Sequence, residues 1–244
     1  MSQANRIALQ QFLNGKGAQL TVDGAVGPQT RNVLYSLFAN RQPAPVLPSE
    51  IAGIARILSV STAQVRAVAA VESSGGGFLS TGHPKILWER HWFWRRVGVK
   101  LTSALPGQWV AHPDPGGYTL DADKDGVNDS WEKLLEACST NPVAAFESCS
   151  WGMFQIMGGH WKALGYGSVF EFAWSMRDGE AGHYRALAAF IRVNNLIPAM
   201  RALSTSASAN ERFARGYNGK GFKKNNYDVK LADAMKRFSR EIGA

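Results

Sequence analysis

Apolar residues recur at helical spacing along most of this chain, and strand-like alternation is scarce. Leu9, Phe12 and Leu13 predict one short amphipathic helix, Val33, Leu34, Leu37 and Phe38 a second, and Ile51, Ile54, Ala55 and Leu58 a third. Leu187, Phe190 and Ile191 mark a later helix, and Tyr227, Leu231, Met235, Phe238 and Ile242 step down the last one. The region from about 98 to 130 is rich in Gly, Pro and Asp. It is expected to be loop, and to hold whatever small β-hairpin the chain forms. The pattern therefore predicts a mainly α fold.

One predicted helix carries an acid on its apolar face. Ser61 with Gln64 three residues on has the form of a capping box, and Val65, Val68, Ala69 and Glu72 follow at i, i+3, i+4 and i+7. Two serines and then three glycines follow, so Glu72 stands at the helix end. Packing against apolar neighbours disfavours the ionised carboxyl, and the negative end of the helix dipole acts in the same direction. A carboxyl still protonated near neutral pH is what general-acid cleavage of a glycosidic bond requires. The same spacing also fits a Glu that turns out into solvent.

Residues 40–49, NRQPAPVLPS, contain three prolines and little that packs, and read as a semi-rigid linker. The expected organisation is a front module at 1–40, a linker at 41–49 and a body at 50–244. No repeat or low-complexity tract interrupts it. With 244 residues and 45% hydrophobic content the chain can bury a full core. The start, MSQANRIALQQF, lacks the features of a signal peptide, and no apolar run approaches the length of a membrane span. Synthesis in the cytoplasm is expected.

The formal net charge of +8 favours anionic partners but does not choose among them. Nucleic acid has only that charge behind it and is not expected; electrostatic contact with an anionic envelope is. Cys138 and Cys149 could pair in an oxidising compartment or remain buried thiols. No CxxC or HExxH motif is present, which argues against a zinc enzyme.

Glycoside hydrolysis usually needs a second group to activate water or steady a cationic transition state. Glu89, seventeen residues after Glu72 in KILWERHWFWRR, is the leading candidate. Trp88, Trp92, Phe93 and Trp94 surround it in sequence and suit either sugar faces or a core. Arg90, Arg95 and Arg96 offer Glu89 ion pairs instead.

Two resemblances sharpen this reading. Leu9-Gln10, Val22-Asp23-Gly24, Gly27 and Thr30 together resemble the peptidoglycan-binding-like domain, a small three-helix module. The likeness implies cell-wall binding by the front segment, while Asp23 and Thr30 individually fit a turn and a helix cap. In the body, VESSGGGF, LWERHWF and SWGMFQIMG, in that order, resemble the phage endolysin N-acetylmuramidase family of the lysozyme-like superfamily. The later RGYNGKGFKKNNYDVKLADA is similar to the groove-lining segment of those enzymes. This implies a lysozyme-like helical domain acting as a monomer on peptidoglycan, at the β-1,4 bond between N-acetylmuramic acid and N-acetylglucosamine. Glu72 would be the general acid, with Glu89 assisting water or the transition state. Ser150, Gln155, Asn218 and Tyr227 would bind sugar or order water, or else only brace loops. No cofactor is expected for catalysis. The site of action would be the periplasm, after release through the inner membrane. Lytic transglycosylases share these segments, and a non-catalytic wall-binding phage component would keep the shape without turnover.

Residues 121–132, DADKDGVNDSWE, fit a calcium-loop pattern, with Asp121, Asp123, Asp125, the carbonyl of Val127, Asp129 and Glu132 as candidate ligands around the turn residue Gly126. So many carboxylates in one loop repel one another without a cation. A structural calcium ion is the expectation. Millimolar calcium should raise the melting temperature, an effect lost on chelation and in Asp121→Ala; an unchanged melting temperature speaks against the ion.

Overall fold

Two hydrogen bonds at Ser61 decide where the Glu72 helix begins. Ser61 Oγ accepts from the Gln64 backbone N–H at 3.1 Å, and the Ser61 N–H donates to Gln64 Oε1 at 2.9 Å. The capping box is therefore complete. The structure is a computed structural model that describes residues 2–73, 76–98, 109–118, 121, 124 and 129–241.

In the described residues of the front segment, helix α1 (Ser2–Gly15) is followed by α2 (Pro28–Phe38). These are two helices where the resemblance implies three. The reason is the turn between them: Gly24 takes φ +76°, and regular structure resumes only where Pro28 supplies the fixed φ of a first helical turn. Gln10 braces this turn, donating through Nε2 to Asp23 Oδ1 at 2.8 Å and accepting from the Gly24 N–H at 2.7 Å. Thr30 Oγ1 donates to the Ala25 carbonyl at 3.2 Å. The motif residues Gln10, Asp23 and Thr30 thus hold the turn together.

Helices α3 (Pro48–Leu58) and α4 (Thr62–Glu72) follow. Ser59 ends α3 in the left-handed region at φ 52°, and the pair bends by 105°. No single helix among the described residues is long and apolar enough to cross a membrane. Next come strand β1 (Ile86–Trp88), α5 (Arg90–Val97), α6 (Ser130–Cys138), α7 (Pro142–Glu147), β2 (Cys149–Trp151), β3 (Ile156–Met157) and α8 (Val169–Trp174). The last group is α9 (Glu180–Val193), α10 (Ile197–Arg201), α11 (Ala207–Asn218) and α12 (Tyr227–Arg240). The fold is mainly helical, as expected.

The strands form one antiparallel sheet in the order β1-β2-β3, with Leu87 opposite Ser150 and Ser150 opposite Met157. The hairpin of the described residues lies at 149–157, and the expected stretch 98–130 falls largely outside them. Its tight turn is made by Gly152 at φ +71° and Gln155 at φ +49°, inside a segment whose apolar run hides the alternation that would announce strands.

The chain groups into two compact units that interleave it. One comprises Met1–Pro43 and Phe78–Asp178, the other Ala44–Gly77 and Gly179–Ala244. In the first, α1 packs on α7 and α2 on α6, so the front segment shares a core with residues far along the chain. Within segment 40–49 the Asn40 N–H donates to the Gly82 carbonyl at 2.9 Å, and Ala44 pairs with Gly179.

Phe38, fully buried at the end of α2, lies at the centre of the first core. Its ring sits 5.3 Å from Trp174, 5.5 Å from Trp131, 5.9 Å from Phe146 and 6.1 Å from Trp151. The buried indoles keep their N–H groups bonded, Trp131 to the Pro84 carbonyl at 3.0 Å and Trp151 to that of Phe146 at 3.0 Å. Cys138 and Cys149 are free, fully buried thiols, and burial pushes both up and away from reactive thiolate. Phe38→Ala should destabilise the full chain by about 3–5 kcal/mol in urea unfolding; a loss under about 1 kcal/mol would show that the front segment is dispensable to this core.

Candidate active site

Val65 and Val68 are fully buried and Ala69 nearly so, while Glu72, one step further along the same stripe, is half-buried. Helix α4 packs on α3 and α12, and this packing fixes the direction of the Glu72 side chain. Asn218 Nδ2 donates to Glu72 Oε1 at 3.3 Å, and the Tyr227 hydroxyl donates to Oε2 at 3.3 Å. Burial raises the carboxyl from its ordinary 4.5 to about 7, with the two donors working in the opposite direction. Desolvation wins because both bonds are long. The acid is therefore substantially protonated at neutral pH.

Both donors come from one helix-loop-helix segment. Asn218 is the last residue of α11 and Tyr227 the first of α12, separated by a 3₁₀ segment, Gly219–Asn225. Gly219 at φ +74° and Asn226 at φ +51° reverse the chain at its two ends, conformations that Gly and Asn adopt at least expense. Lys223, within the segment, donates to Glu211 Oε1 at 2.6 Å and to Asp228 Oδ2 at 2.7 Å, pinning it to both helices. Tyr217 stacks on Phe213 at 5.7 Å and meets Phe190 edge-on at 5.3 Å. Its hydroxyl is pushed well up, first by burial and then by the negative charge of Glu72. Tyr227 is raised to about 12 for the same reasons. Both phenols thus stay protonated donors throughout the working range.

Glu89 lies in the other unit, between β1 and α5. Its Oε2 accepts from the Tyr118 hydroxyl at 2.7 Å and lies 3.3 Å from His91 Nδ1, and its side chain is only 16% exposed. The flanking arginines bond elsewhere too: Arg90 to the carbonyls of Asp114 and Pro115, Arg96 to Glu147 Oε2 at 3.1 Å. Trp88 and Phe93 are core, whereas Trp92 is exposed beneath Arg95 and Arg96. Ser150 Oγ donates to Gln155 Oε1 at 2.7 Å, and Gln155 Nε2 donates to the Gly152 carbonyl at 2.8 Å. That pair braces the β2-β3 turn. Of the acidic-loop positions, Asp121, Asp129 and Glu132 are described, with α6 starting right after Asp129; Asp123, Asp125 and Val127 lie outside the described residues. Among the described residues no three His, Cys, Asp or Glu side chains gather as metal ligands.

The sequence profile of the N-acetylmuramidase family matches residues 61–239, from the N-cap of α4 to the end of α12. The chain belongs to the N-acetylmuramidase family. The crystal structure of the Burkholderia AP3 phage endolysin is similar to it, with 34% identity, a TM-score of 0.70, and 96% of this chain and 95% of that one covered. No curated protein matches. This muramidase is a glycoside hydrolase of peptidoglycan.

Of the residues expected in the muramidase site, the structure gathers Glu72, Asn218 and Tyr227 into one hydrogen-bonded group. Glu89, Ser150 and Gln155 lie in the first unit. Tyr217 belongs to the group by its electrostatic contact with Glu72, and its place beside Asn218 in the same motif was the signal for it. Tyr118, the partner of Glu89, sits in an irregular loop with no periodicity to mark it.

The raised carboxyl makes stability depend on pH. Folded Glu72 holds its proton up to about pH 7, whereas the unfolded chain releases it near 4.5, so the stabilisation is full below 4.5 and declines as pH rises to 7. The total loss is of order 3 kcal/mol. In urea unfolding at pH 5 and pH 8, Glu72→Gln should gain on the wild type at the higher pH; a gap that stays constant would show that Glu72 is not desolvated.

Proposed function

We propose that Glu72 is the general acid of a phage endolysin that hydrolyses the β-1,4 bond between N-acetylmuramic acid and N-acetylglucosamine to lyse its host. The observation that carries this is a half-buried carboxyl held near pKa 7 beside two neutral donors, in a chain of the N-acetylmuramidase family. The proton passes from Glu72 to the glycosidic oxygen as the bond to the anomeric carbon breaks, and water adds at that carbon. Negative charge then appears on the Glu72 oxygens, where Asn218 and Tyr227 already point. Bonds that are long to the acid and shorten to the carboxylate favour the transition state over the ground state.

Assistance to the water by Glu89, and sugar contacts by Ser150 and Gln155, rest on the family resemblance. So does wall binding by the front segment, whose motif residues are occupied in bracing their own turn. A calcium ion at 121–132 rests on the loop pattern alone. The muramidase is read as a monomer made in the host cytoplasm and acting beyond the inner membrane.

Glu72→Gln should lower the rate of peptidoglycan solubilisation by at least about a thousandfold. Wild-type activity should fall above about pH 7 as the acid ionises. Tyr227→Phe, which removes a donor that favours the carboxylate, should move that fall to higher pH. Mass spectrometry should find hydrolysed reducing ends in the released fragments; anhydro ends, one water lighter, would mean transglycosylation. Wild-type turnover by Glu72→Gln would end the assignment.

A further inference from the structure

The positive charge of the chain is concentrated in the unit that holds Glu72. Ala44–Gly77 and Gly179–Ala244 contain fourteen of the 27 Lys and Arg but only seven of the 19 Asp and Glu, so seven of the eight excess positive charges fall there. Within this unit a surface cavity of about 540 Å³ opens between α10 and α11. Leu196 and Ala199 form its apolar side, and Asn195, Ser208, Arg212 and Arg215 supply polar groups.

The spacing of 208, 212 and 215 places these three on one face of α11. Gly216 completes the wall; a Cβ there would come within 2.5 Å of Leu196, so a side chain would press into the apolar floor. Glu211 also lines the cavity; its Oε1 is held at 2.6 Å by Lys223 Nζ, a cation it shares with Asp228, so the charge of Glu211 is offset in part against the two arginines. Arg212 makes no ion pair among the described residues. Arg215 makes none there either, and its guanidinium lies 5.5 Å over the Phe222 ring, a contact that leaves its N–H edge open. Two guanidinium groups one turn apart, with a hydroxyl and an amide beside them, match the planar oxygens of a carboxylate.

We propose that this cavity is an accessory anion site that takes a carboxylate of the peptide stems carried by peptidoglycan. The proposal rests on the reading of Glu72 as the acid of a peptidoglycan hydrolase. The connection is geometric: Arg215 stands three residues before Asn218 on α11, about one helical turn from the side chain that donates to Glu72. A polymer whose glycan is neutral except for its peptide acids would be held there by charge without competing for the proton chemistry. Arginine serves this better than lysine, since its planar fork of N–H groups can hold both oxygens of one carboxylate.

The test measures sedimentation of the full chain, in the Glu72→Gln background so that turnover cannot erode the substrate, with purified Gram-negative sacculi. It compares native sacculi with sacculi whose stems have been removed by an amidase. Arg212→Gln with Arg215→Gln should weaken binding to native sacculi by about tenfold or more. On stripped glycan the two proteins should bind alike, and Arg212→Lys with Arg215→Lys should keep part of the affinity for native sacculi. A melting temperature unchanged in the double variant separates lost contacts from lost folding; if it falls, the Lys pair carries the comparison. Undiminished binding to native sacculi overturns the proposal, as does an equal loss on stripped glycan. A loss seen only with phosphatidylglycerol vesicles overturns it too, assigning the site to phosphate. Because the assay reads binding alone, its failure leaves the Glu72 assignment standing, and turnover by Glu72→Gln would be seen separately as released fragments.

Discussion

Removing a carboxyl group from water favours its proton, and giving it hydrogen-bond donors favours its charge; the Glu72 site is built on the balance between the two. Burial at the end of α4 is the larger effect and holds the group near pKa 7, while Asn218 and Tyr227 hold it back from going higher. Either extreme would be useless for acid catalysis. Fully solvated, the carboxyl would have lost its proton at neutral pH; fully buried and without donors, it would not release it. The intermediate value needs both burial and donors at one carboxyl, and several elements of the second unit supply them. The capping box starts α4, α12 packs along it, and Lys223 fixes the segment that delivers both donors.

The first unit meets a different physical demand. Its small sheet has too little area to form a core alone, so the rings of Phe38, Trp131, Phe146, Trp151 and Trp174 fill the space between helices contributed from widely separated parts of the chain. Each indole brings a polar N–H into this core, and for Trp131 and Trp151 a backbone carbonyl meets it. The same packing accounts for the front segment. A module whose second helix ends in such a residue is part of the scaffold, whatever its outer surface binds.

The charge distribution and the acid site also fit together chemically. A substrate with a neutral sugar backbone and acidic peptides offers two handles of different kinds, one for proton transfer and one for ion pairing. In the proposed reading these demands fall on one helix of the second unit: α11 carries Asn218 at its end, with Arg215 and Arg212 three and six residues before it. A guanidinium beside the Glu72 oxygens would lower the pKa of that carboxyl and strip the proton that burial retains.

What the sequence determined by itself was local. The start of α4 at Ser61, the apolar stripe through Val65 and Val68, and the position of Glu72 on that stripe all follow from interactions between residues less than three turns apart. The direction of the carboxyl's shift followed too, since burial of an acid acts one way only. The ordered motifs likewise indicated the family. Tertiary structure alone decided the donors: Asn218 and Tyr227 lie 146 and 155 residues beyond Glu72, and no periodicity links them to it. It also decided that Asn40 and Ala44, within NRQPAPVLPS, bond to Gly82 and Gly179. Composition reports how a segment behaves alone. Its partners are chosen by a fold that assembles them from distant parts of the chain.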